Sequence, residues 1–117
     1  MNARTLAAAL MLAAPALAEV RPTTTWRYSV AALAAANAAD AHSSWRGAEA
    51  NPLLADSAGR FSHRGLAVKS GIAALNIGVQ YIVVRKWPQL AKPLSYVNFT
   101  GAAFTGAVAA RNYRVRP

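Results

Sequence analysis

Asp40, His42, Ser43, Ser44 and Glu49 crowd into ten consecutive residues, and His63 follows in the next segment. These side-chain types can bind metals or activate a nucleophile. Their spacing argues against both uses. His42 and His63 stand 21 residues apart, with no second histidine on either helix to complete a zinc pair with Asp40 or Glu49. Ser43 and Ser44 lack a glycine-flanked nucleophile turn, and neighbouring residues on a helix do not face one another. No glycine-rich phosphate loop occurs. The sequence therefore predicts no catalytic residue, no metal and no cofactor, and the chain reads as a non-enzyme.

A second group of polar residues is set inside apolar segments. Asn37, Asp40 and Ser44 fall on one helical stripe, and Lys69, Ala73, Asn76 and Gln80 form another. Asn98, Thr105 and Asn112 recur every seven residues on a third. Small residues recur every four: Ser70, Ala74 and Gly78, then Ala102, Gly106 and Ala110. Such rows let helices approach closely in lipid, and intramembrane polar groups need partners. The stripes read first as structural glue between helices, with a transport path as the functional alternative.

The elements that would carry these stripes are helical. Of 117 residues, 55% are hydrophobic and only 15% charged. Twenty-nine are alanine, which favours helix, and no alternating strand pattern appears. There is no cysteine, which removes disulfides and thiolate chemistry. Residues 1–18 read as a signal peptide: Arg4, an apolar run from Leu6 to Ala14, Pro15, and Ala16-Leu17-Ala18 before Glu19. Residues 19–117 form a single membrane domain with helices over about 26–45, 66–84 and 94–110. The predicted fold is thus all-α, a signal peptide followed by a three-helix transmembrane bundle. Trp26, Tyr28, Trp45, Trp87, Tyr96 and Tyr113 lie near segment ends, as an interfacial aromatic belt would.

Export places the segment from Arg46 to Gly65 in the cytoplasm. Seven Lys or Arg residues then lie inside and five outside, a modest positive-inside bias. The net charge of +9 is spread over segment ends, not gathered on one face, which argues against nucleic acid. With Trp45, Gly65 and Arg111 at the inner ends, Asp40 and Lys69 sit about 7 and 6 Å deep on the helical rise. Matching depth predicts an ion pair. Asn76 and Asn98 lie at about 16 and 20 Å on the same rise, with Gln80 close by, which predicts hydrogen bonds between the second and third helices.

Between the first two helices, Asn51 and Pro52 suit a helix start and Gly59 the residue past a helix end. "PLLADSA" reads either as a short helix on the inner surface or as a plain loop. Glu49 lies outside the apolar core, within reach of Arg46 or Arg64. Asp40, Ser43 and Ser44, then Glu49-Ala50-Asn51-Pro52, resemble a pattern in small bacterial membrane proteins of unassigned function. Those chains carry an Asp followed within a turn by Ser or Thr, then Glu-x-Asn-Pro, then two further hydrophobic segments. The likeness spans roughly Tyr28 to Ala110, its motif about 13 residues. Ser44 holds the hydroxyl position here, and the leader is an addition. The resemblance implies membrane architecture and no activity.

Together these readings predict a small polytopic protein of the bacterial inner membrane with an exported N-terminus. Its partners would be the lipid bilayer and a second copy or a larger membrane complex, and its role structural or interactive. The alternatives are a transport or channel subunit and a soluble secreted helical protein that binds anionic surfaces.

Overall fold

The structure, a computed structural model, describes residues 2–5 and 21–115. The leader reading falls almost wholly outside them. Asn2 caps the short helical turn that is described there: its Oδ1 accepts from Thr5 N–H and Thr5 Oγ1, both at 2.7 Å.

Three long helices follow: α1, Pro22–Ser44; α2, His63–Lys86; and α3, Ala91–Val115. A 3-10 turn, Pro88–Leu90, joins α2 to α3. No strand occurs among the described residues, only isolated bridges in the loop after α1. Each helix extends three to five residues beyond its apolar stretch at one or both ends. Pro22 opens α1, where a missing N–H costs nothing. Pro93 is tolerated for the same reason in the first turn of α3, instead of standing before it.

The chain runs up, down, up, so α1 and α3 are parallel and α2 is antiparallel to both. The register between α1 and α3 holds nearly constant. Ser29 meets Asn98, Leu33 neighbours Gly101, and Ser43 meets Asn112. These two helices make the closest backbone approach along their length, while α2 stands further off. Small residues explain the closeness. Ala109 is buried, Ala102, Gly106 and Ala110 are half-buried, and a methyl added at Gly101 would already lie 3.4 Å from Leu33 Cδ1. The corresponding row in α2 does not pack. Ser70, Ala74 and Gly78 are exposed, because period four alone does not say which face turns inward.

The interior is inverted relative to an ordinary soluble domain. Among the described residues six hydrophobic ones are buried, three of them alanine, beside five polar ones: Ser29, Ser43, Gln80, Ser95 and Asn98. Large apolar side chains point outward, including Phe104 at 73% exposure, Leu75 at 69% and Ile72 at 63%. Among the described residues one helix, α2, is long and apolar enough to cross a membrane. Its 24 residues correspond to about 36 Å at the helical rise, against a hydrocarbon core of about 30 Å.

The segment after α1 is an ordered loop, not a helix. "PLLADSA" forms turns, because its polar side chains take up backbone donors at the expense of helical bonds. Asn51 Oδ1 accepts from Leu53 N–H at 3.0 Å. Asp56 Oδ1 accepts from the N–H groups of Ala58 and Arg60, and its Oδ2 from the Ser62 hydroxyl. These bonds hold the Asp56 carboxyl below its ordinary range, the Arg60 N–H contributing most. Gly59 sits at φ 71, as a residue ending this turn requires. Phe61 fills the loop's centre at 2% exposure, edge-on to Trp45 with ring centroids 6.3 Å apart.

Candidate functional site

The polar stripes converge in two places between the helices. Near the loop end, the Lys69 ammonium of α2 pairs with Asp40 Oδ2 of α1. This is the ion pair that matching depth predicts. Beside it Asn112 of α3 donates to the hydroxyls of Ser43 and Ser44, at 3.3 and 3.2 Å. Tyr113 Oη lies 2.6 Å from His42 Nδ1, which ties the same ends of α1 and α3.

Deeper in the bundle, five residues form a polar seam around the Gln80 and Asn98 amides. Gln80 and Asn98 exchange two hydrogen bonds. Gln80 Nε2 donates to Asn98 Oδ1 at 2.9 Å, and Asn98 Nδ2 donates to Gln80 Oε1 at 2.8 Å. The second N–H of Asn98 reaches Ser29 Oγ at 3.0 Å, and that of Gln80 reaches Asn76 Oδ1 at 3.2 Å. Trp26 Nε1 donates to Gln80 Oε1 at 3.0 Å, taking its second lone pair. Ser29 in turn donates to the Trp26 carbonyl. Every proton of both amides is used. Among the described residues no buried side-chain polar atom lacks a partner. The buried Gln80–Asn98 pairing at its centre fixes the helices' register, while Asn76 at its edge is exposed.

Several expectations about these residues change. Asn76 and Asn98 do not touch; Gln80 bridges them. Trp26 belongs to no interfacial belt: it is buried, packed with Val84 and Ala91, with its indole N–H committed to Gln80. Asn37 bonds within its own helix, to the Leu33 carbonyl. Glu49 makes no salt bridge with Arg46 or Arg64 among the described residues; its Oε1 accepts from Asn51 N–H at 2.9 Å. Asn51, Glu49 and Asp56 thus shape the loop. His63 stacks edge-on against Trp45, while His42 meets Tyr113, so the two histidines contact different elements.

Ser29 and the packing role of Gly65 escaped sequence reasoning, which places Trp26 at the interface. Ser29 lies i+3 from Trp26, a spacing that puts both on one face, and that was the available signal. Gly65 gave none: a methyl there would sit 2.5 Å from the Leu54 carbonyl oxygen and from Phe61 Cδ2. Compared with known protein families, curated proteins and solved structures, the chain matches none.

Proposed function

We propose that this chain is a small polytopic protein of the bacterial inner membrane, a non-enzymatic structural or interaction component whose three helices all lie in the bilayer. The observation that carries this reading is the inversion: Asn98 and Gln80 are buried at 1% and 6% exposure while Phe104, Leu75 and Ile72 face outward. In water each such outward side chain would forgo about 1.5–3 kcal/mol of burial. In lipid the same arrangement is favourable, because the solvent is apolar and polar groups need internal partners. Among the described residues the large buried apolar side chains are Trp26, Phe61 and Val84, a thin core for a water-soluble fold.

The resemblance of the Asp40 to Pro52 pattern to small bacterial membrane proteins supports the same placement. Alkaline carbonate extraction of membranes tests it. Retention in the pellet is expected, and release into the supernatant would favour a secreted helical protein. The buried Gln80–Asn98 pairing, whose amide protons are all bonded within the protein, supports a structural use of the polar stripes over a conducting one. Flux of ions or solutes in reconstituted vesicles, wild type against Asp40→Asn, tests that choice. An Asp40-dependent flux would favour the transport-subunit reading.

A further inference from the structure

A cleft of about 320 Å³ opens at the bundle end opposite the loop, between the start of α1 and the end of α2. Its walls include Thr23, Trp26 and Arg27 from α1 and Tyr81, Val84 and Arg85 from α2. Arg27 and Arg85 therefore border one cavity from different helices, and among the described residues no carboxylate lines it. The floor is apolar and rigid. Trp26 and Val84 are buried, and the Gln80 bond fixes the indole. A second cleft at the loop end also holds two arginines, Arg46 and Arg60, but Asp56 shares it and offsets one of their charges.

We propose that the cleft between Arg27 and Arg85 binds the phosphate of an anionic phospholipid headgroup. Guanidinium pairs hold phosphate oxygens through charge-assisted, often bidentate, hydrogen bonds. The adjoining Trp26, Tyr81 and Val84 surfaces suit the glycerol and the first acyl carbons, which a free phosphate ion lacks. The site lies at helix ends, where headgroups lie if the helices are in the bilayer, so the assignment rests on the membrane placement proposed above.

The test uses the full chain in a nonionic detergent, titrated calorimetrically with short-chain phosphatidylglycerol, short-chain phosphatidylcholine and orthophosphate. Saturable binding of phosphatidylglycerol is expected, at least about tenfold tighter than of the other two. Arg27→Gln and Arg85→Gln are each expected to weaken it about tenfold, with unchanged unfolding midpoints because both side chains are exposed. Lys86→Gln is the control, since that ammonium sits 5.9 Å over the Trp87 ring and does not line the cleft. Equal loss with Lys86→Gln would reduce the effect to diffuse charge and overturn the site. Equal affinity for phosphatidylcholine or orthophosphate would overturn the lipid assignment. A protein released by carbonate that still binds phosphatidylglycerol would keep the site and remove the bilayer placement, so the two failures separate.

Discussion

α1 and α3 are held together differently from α2, although all three helices have similar lengths and compositions. The α1–α3 contact is made by smallness: alanines and Gly101 let two parallel backbones approach in register. α2 is held at a distance by reach. Lys69 and Gln80 extend long side chains to Asp40, Asn98 and Trp26, and Val84 packs with Trp26 and Ala91. The first contact depends on volume and tolerates little added bulk. The second depends on polar pairing and tolerates no unpaired partner. In an apolar solvent both are workable, since burying a methyl group gains nothing that lipid does not already supply.

The largest expected effect falls where α2 is seated on the loop. Gly65→Val should destabilise by about 3 kcal/mol or more, because its Cβ would collide with the Leu54 carbonyl and the Phe61 ring. Chemical unfolding in detergent micelles measures this. Gln80→Leu comes next, at about 2 kcal/mol, since it strands Trp26 Nε1 and the Asn98 amide. A double-mutant cycle with Asn98→Leu should show strong coupling, and additive losses would mean the amides do not act as one unit.

Asp40→Leu should cost about 1 kcal/mol, less than for a fully buried pair because Lys69 keeps 23% exposure and can reach the interface. Asp40→Leu with Lys69→Leu should recover part of that loss. A double variant no more stable than the single would rule out the pair as a stabilising contact. Smaller still, Gly101→Ala should be neutral or stabilise by less than about 1 kcal/mol, as the added methyl meets Leu33 at ordinary distance while helix propensity improves. Gly101→Leu should reverse the sign.

The loop supplies a pH dependence apart from either contact. The folded pKa of Asp56 lies below its ordinary 3.8, so protonation favours the unfolded state. Its contribution is full above pH 3.8 and fades as the pH falls through the lowered folded value. Asp56→Asn should remove that part of the acid sensitivity of unfolding.

How much of this was legible depends on which physical rule governs each residue. The Asp40–Lys69 pair followed from helical rise, because depth is a property of one helix at a time. The all-α architecture followed from alanine content and the lack of strand alternation, and the depths of Asn76 and Asn98 pointed to the right level without showing that Gln80 is the bridge between them. Trp26 did not, because a tryptophan near a segment end suits an interface and an interior equally until its neighbours are known. The face presented by Ser70, Ala74 and Gly78 was hidden for the same reason. The sequence left the loop open between a short helix and plain turns, because Asn51-Pro52 and Gly59 suit helix ends; the carboxylate of Asp56 captured the backbone donors a helix would have needed.

The inverted exposure is the centre of the account, and the chain's lack of cysteine allows a direct test of it. Single cysteines at Leu75, Phe104 and, for contrast, the loop residue Ser57 can carry a nitroxide in reconstituted bilayers. Collision with oxygen and with a water-soluble nickel chelate then reports the solvent at each site. The account expects labels at 75 and 104 to favour oxygen and exclude nickel, with the reverse at 57. Free access of the nickel chelate to positions 75 and 104 would contradict it.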